Sequence, residues 1–106
     1  MDINNKAREF ASYVKNTKEF KDMNKSKSDL EKNRSLKKKL DSYINKKNNI
    51  YSNYRIDDAS IKINQLNQEY SDFFNLPLID NYMQNTKQFN SMMEQLYKTI
   101  EKELLK

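Results

Sequence analysis

The chain has no glycine, no cysteine, no histidine and no tryptophan, and its single proline is Pro77. Glycine reaches positive φ at little cost, so its absence argues against β-hairpins, bulges and Gly-rich loops. Turns must then be built from Asn, Asp and Ser, and Asn is abundant. Without cysteine there is no disulfide, no thiolate zinc site and no cysteine-ligated iron–sulfur cluster. No stretch approaches the roughly 20 apolar residues that span a bilayer. The opening Met1-Asp2-Ile3-Asn4-Asn5-Lys6 also lacks the basic and apolar regions of a signal peptide. The expected location is the cytoplasm.

What remains is polar and charged. Of 106 residues, 36% are hydrophobic and 33% charged, a balance that leaves a chain of this length a modest core. Such a chain either stays partly disordered or gains buried area by self-association, and the periodicity below favours folding. The net charge is +5, unevenly spread: residues 1–56 hold 15 basic and 7 acidic side chains (+8), residues 57–106 hold 5 and 8 (−3). That asymmetry points to an anionic partner for the first half, or to charge matching between copies. No linker-like stretch interrupts the chain, so a single domain over residues 1–106 is expected.

Helical periodicity organises all of it. Ile3, Ala7, Phe10, Ala11 and Val14 fall on one helix face, with Asp2 placed to cap it. Asn16 and Glu19 have capping-box spacing before a second helix that puts Phe20, Met23, Lys27 and Leu30 on one side. Asn33 breaks it and caps a long third helix, about Arg34 to Tyr54. Its Leu36, Leu40, Tyr43, Lys47, Ile50 and Tyr54 alternate four and three apart, with Ile44 and Tyr51 widening the seam and Lys47 as its charged intruder. Asp57-Asp58 precedes a fourth helix, about Ala59 to Phe74, with Ala59, Ile63, Leu66, Tyr70 and Phe73 on its seam. Pro77 suits the first turn of a final helix, where Ile79, Tyr82, Thr86, Phe89, Met93, Leu96 and Ile100 continue the pattern. Strand alternation and NG or DG turns are missing. The expectation is an all-α fold of about five helices, with long antiparallel hairpins and an oligomeric bundle.

Reactive chemistry is hard to assemble from these residues. Without His or Cys, only Ser, Thr, Tyr, Lys and carboxylates remain, and no phosphate-cradling loop is present. Ser26-Lys27 and the S-x-x-K spacing from Ser35 to Lys38 lie on lysine-rich helices, where such spacing is usually coincidence. Asp57-Asp58 reads as helix capping before it reads as a hard-metal site. No catalytic residue, metal or cofactor is expected, and the chain is not expected to be an enzyme. Lys37, Lys38, Lys39 and Lys46, with Tyr43, Tyr51 and Tyr54 nearby, invite an anionic-partner reading: lysines on phosphates, tyrosines stacked on bases. Against it, successive lysines fan about 100° apart and the tyrosines flank the seam. A membrane-surface helix fits less well, since the polar faces carry Asp and Glu as well as Lys.

The layout resembles the YlbF/YmcA (Com_YlbF, YheA-like) family over roughly Ala7 to Ile100. The resemblance is carried by Ala7-Arg8-Glu9-Phe10-Ala11, by Thr17-Lys18-Glu19-Phe20, and by Asn75-Leu76-Pro77-Leu78-Ile79-Asp80-Asn81-Tyr82. It implies a small helical regulator of Gram-positive bacteria that forms homo- or hetero-oligomers. Named members of that family work with a third protein, YaaT, as accessory factors to RNase Y in mRNA processing. Their longer cysteine-bearing tails are implicated in iron–sulfur binding; this sequence ends at Lys106 without cysteine. The expected function is therefore a non-catalytic adaptor or regulatory subunit acting through protein–protein contacts, accessory to RNase Y-type processing. The alternative is a small basic nucleic-acid-binding helical protein. The expected partners are a second copy or related helical proteins and an RNA-processing protein, with no membrane. The core or oligomer interface is expected at the aromatic and aliphatic positions Phe10, Phe20, Leu36, Leu40, Tyr43, Ile50, Leu66, Tyr70, Phe73, Ile79, Tyr82, Phe89, Met93, Leu96 and Ile100.

Overall fold

Asp2 starts the first helix: its Oδ1 accepts the Asn4 N–H at 2.9 Å, and α1 (Ile3–Lys15) follows. The computed structural model describes residues 2–106 and shows six helices and no strand among them. α2 (Lys18–Glu31) is capped one residue later than the capping-box spacing predicts. Asn16 closes α1 with its N–H on the Tyr13 carbonyl, and Thr17 Oγ1 accepts the Phe20 N–H at 3.2 Å. Asn33 caps α3 (Arg34–Asn53) as expected, its Oδ1 accepting the Leu36 N–H at 3.2 Å.

α4 (Ile56–Glu69) begins three residues before the expected Ala59. Tyr54 and Arg55 are extended, so Arg55 is the cap residue, and Asp57 and Asp58 lie in the first turn beside the positive helix end. The helix also stops sooner than expected. Ser71 turns its hydroxyl back onto the Gln68 carbonyl (3.0 Å), taking one of the last acceptors, and a separate turn of helix, α5 (Ser71–Phe74), follows. The fold therefore has six helices where periodicity gave about five. α6 (Pro77–Leu104) opens on Pro77, whose missing N–H costs nothing in a first turn. Among the described residues none has positive φ, so every turn is made without the conformation glycine would supply.

The helices gather into two units, Met1–Ser28 with Asn81–Lys106, and Asp29–Asp80; α2 and α6 contribute to both. In the second unit α3 and α4 form an antiparallel hairpin. As α3 advances its α4–α5 partners recede: Lys39 lies over Phe73, Tyr43 bonds Asn67, and Tyr54 lies under Lys62. The buried hydrophobic core is made of Leu30, Leu40, Tyr43, Ala59, Ile63, Leu66, Tyr70, Phe73 and Ile79, and every one belongs to this unit. Ile44 and Tyr51, expected to widen the α3 seam, are instead 42% and 55% exposed. The seam is narrower because a hairpin buries one stripe per helix, and both residues lie one step off it.

Lys47 holds the seam position between Tyr43 and Ile50 and is half-buried. A half-buried lysine can lay its methylenes along apolar surface while its ammonium reaches water. Lys47→Leu is expected to raise stability by about 1 kcal/mol, read as a higher midpoint in thermal or urea unfolding. An unchanged midpoint would place Lys47 outside the packed stripe.

The first unit is built differently. Its three helical segments are amphipathic, yet the only buried residue among those described is the polar Ser26. α1 has no buried residue at all. Phe20 and Phe89 meet edge-on, centroids 5.9 Å apart, and both are half-buried.

Candidate functional site

In the first unit the apolar faces of α1 and α6 diverge around an open cavity of about 590 Å³. The Phe20–Phe89 pair lies at one end, Phe10 and Val14 wall it from α1, and Met93 and Ile100 from α6. Lys6 and Lys15 are its charged lining residues. Along α6 the seam opens progressively: Ile79 is fully buried, Tyr82, Phe89, Met93 and Leu96 are half-buried, and Ile100 is 47% exposed.

Beside this groove α2 and α6 are pinned by a polar node. Ser26, 2% exposed, donates to the Asp22 carbonyl at 2.9 Å and accepts from the Asn85 (2.6 Å) and Asn81 (3.2 Å) side-chain amides. The face predicted for α2 had Lys27 at this place; the helix turns Ser26 inward and leaves Lys27 exposed. Spacing alone fits either residue, and the signal available in sequence was the asparagine pair four apart on α6. Ser26 has no basic partner, so the node is a register device between helices. Ser26→Ala is expected to cost about 1 kcal/mol, because it takes the buried hydroxyl acceptor from the half-buried Asn85 amide and the exposed Asn81 amide. Urea unfolding of the variant measures it.

A second, polar groove of about 810 Å³ runs between α2 and α6, with Gln84, Gln88 and Ser91 on the α6 side. At its edge the Lys18 ammonium is 2.8 Å from Asp22, and the hydrogen bond to that carboxylate raises the Lys18 pKa.

In the second unit an aromatic cluster takes up most of the predicted cationic patch. Tyr43 and Tyr70 lie 5.2 Å apart, Tyr43 and Phe74 4.7 Å, and Tyr70 and Phe73 5.9 Å. Lys39 lies over Tyr70 and Phe73, at 5.7 and 5.3 Å from their centroids. Lys46 donates to Tyr70 Oη at 3.2 Å, which raises the lysine's pKa. Lys37 bonds Asp41 at 2.6 Å, and Lys38 is exposed. Three of the four candidate lysines are thus engaged within the chain. The structure does not bring them together as one stripe. Tyr51 and Tyr54 are exposed, at 55% and 46%, and Tyr54 lies under Lys62 beside a groove of about 350 Å³. Leu40, Tyr43, Leu66, Tyr70, Phe73 and Ile79 are in the core, while Leu36 and Ile50 are half-buried at its edge.

Tyr43 donates its hydroxyl to Asn67 Oδ1 at 2.5 Å. Burial, with Tyr51 adding to it, pushes its phenol above the ordinary value of 10.0. A pKa raised in the folded state means a contribution to stability that is complete below about pH 10 and lost as pH rises through the folded value. The melting temperature is therefore expected to fall above about pH 10, and less steeply in Tyr43→Phe. Melts between about pH 8 and 11 check it.

Among the described residues no group of three or more His, Cys, Asp or Glu is placed to hold a metal ion. No helix among them is long and apolar enough to cross a membrane. The architecture is that of an all-α protein whose notable surfaces are helix faces and grooves. The family model for the control of competence regulator ComK, YlbF/YmcA, matches residues 3–104, and the chain belongs to that family. The match takes in all three segments that carry the resemblance, Ala7–Ala11, Thr17–Phe20 and Asn75–Tyr82. It makes the protein a member of a regulatory family. Neither the curated proteins nor the solved structures give a significant match.

Proposed function

We propose that the protein is a non-catalytic adaptor or regulatory subunit that works through protein–protein contacts and is accessory to RNase Y-type mRNA processing. The observation that carries this reading is the uncovered apolar face of the first unit. A 13-residue amphipathic helix with no buried residue, set against a half-exposed α6 seam, is surface suited to another protein. The family's place in control of a competence regulator supports a regulatory role. The engagement of Lys37, Lys39 and Lys46 within the chain favours protein contact over nucleic acid.

Affinity capture of the tagged full chain from its native cells, at physiological salt, tests this. An RNase Y-type endoribonuclease is expected to co-elute, and to remain after nuclease treatment. Absence of that enzyme, together with salt-dependent RNA binding by the purified chain, would favour the nucleic-acid alternative.

A further inference from the structure

We infer that the groove between α3 and α4 binds an extended acidic segment of another protein, with two of its carboxylates taken by Lys46 and Lys62. The inference rests on the contact-protein reading and names the chemistry of one partner. The groove lies wholly within the second unit.

Two lysines enter this groove already held in place. Lys46, on α3, donates to Tyr70 Oη at 3.2 Å and lies 5.3 Å from that ring's centroid. Lys62, on α4, stands 4.6 Å over the Tyr54 ring. It does so although Asp58, one turn earlier on the same helix, is placed to pair with it. Among the described residues neither lysine is ion-paired, whereas Lys18, Lys37 and Lys98 each pair with an acid four residues away. An ammonium has three donors, so both keep N–H groups for a ligand. Side chains that are already ordered lose less freedom when a ligand binds.

Spacing and chemistry select the occupant. Lys46 meets Tyr70 and Lys62 meets Tyr54, so the lysines enter at opposite ends of the antiparallel hairpin. On each helix those ends are about 12 Å apart. In an extended chain, side chains four residues apart share a face and lie about 13 Å apart. Two acidic residues at that spacing reach both ammoniums; on a helix they would be only about 6 Å apart. Between the lysines the groove has Ile50 and Leu66 as apolar lining, and amides from both helices. Asn49 stands one turn after Lys46, and Gln65 one turn after Lys62. Asn49 Oδ1 accepts from Asn53, which leaves the Asn49 N–H groups to donate, while Gln65 can donate and accept. Such amides suit the main chain of an extended segment. A nucleic-acid strand fits worse. It sets a charge about every 3.4 Å, across a middle with no cation to meet it, and Glu69 at the Lys46 end opposes a run of phosphates.

The test is fluorescence anisotropy of a labelled, capped peptide of about nine residues, its two glutamates four apart, titrated with the full chain. Saturable binding is expected, with a dissociation constant on the order of 100 µM. It is expected to weaken with added salt, and to be lost when the glutamates become glutamines or are set two apart. Lys46→Met and Lys62→Met keep the methylene stems, and each is expected to weaken binding about fivefold. Together they are expected to weaken it about 25-fold, since the two sites are far enough apart to act additively. Lys38→Met, at an exposed site outside the groove, leaves binding unchanged, and Glu69→Gln tightens it. Circular dichroism confirms that each variant is folded. In the unaltered chain, amide chemical shifts moved by the peptide along residues 46–54 and 62–69 locate the site independently of any variant. No binding up to about 1 mM would overturn the inference. So would binding that ignores both groove lysines, that falls equally with Lys38→Met, or that accepts glutamates two apart as readily. A uridine oligonucleotide that competes at these lysines and binds more tightly than the peptide would make nucleic acid the occupant, and so would also overturn it. None of these outcomes touches the nuclease-capture experiment, so the two readings fail separately.

Discussion

Tyr70→Ala is expected to destabilise the protein by about 3–5 kcal/mol, the range for removing a buried aromatic ring. Tyr70 is 6% exposed and touches Tyr43, Phe73 and Phe74, while Lys39 and Lys46 hold cations over its face. It also stands at the break between α4 and α5, so the ring fixes where the chain turns. A domain of this length has a total stability of about 5–15 kcal/mol, so the loss brings it close to unfolding. Tyr70→Phe keeps every ring contact and gives up only the hydrogen bond from the exposed Lys46. It is expected to stay near the wild type in urea unfolding. Equal losses in the two variants would mean that the hydroxyl, and not the packing of the ring, holds the cluster together.

The second large effect belongs to Ile79, which is fully buried in the first turn of α6. Ile79→Ala removes methyl groups from a site with no access to water and is expected to cost about 2–5 kcal/mol. Ile61→Ala, in the same unit but 59% exposed, is expected to stay within about 0.5 kcal/mol. Chemical unfolding of the pair measures the contrast. A small effect at Ile79 would mean that the start of α6 is not part of the core that holds residues 29–80.

The elements were largely legible in the sequence because helix periodicity is written in single residues. The seam Ala59, Ile63, Leu66, Tyr70 and Phe73 and the proline opening α6 stand in the structure where spacing placed them. The misses are local and have local causes. Asn16 and Thr17 both cap helices well, and only the backbone shows that Thr17 supplies the oxygen to α2 while Asn16 ends α1. The α4–α5 break depends on a serine hydroxyl competing for one carbonyl, which no hydrophobic pattern records. The candidate site was less legible. Periodicity marks Phe10, Phe89, Met93 and Ile100 as apolar-face residues. It does not say whether that face is closed within the chain, and in the structure it is open. Ser26 was hidden for the same reason: a polar residue on an apolar face becomes visible only when its partners, Asn81 and Asn85, are placed more than fifty residues away.

Residues 29–80 carry the buried hydrophobic core, while the first unit leaves its apolar face open. Native-state hydrogen exchange of the full chain, resolved by helix and repeated at low and high micromolar concentration, tests that division most directly. Amides of α3 and α4 are expected to open with free energies near the global value at every concentration. Amides of α1 and the later turns of α6 are expected to exchange much faster when dilute, and to slow as concentration rises. Protection of α1 equal to that of α3 in dilute solution, unchanged on concentration, would contradict the account.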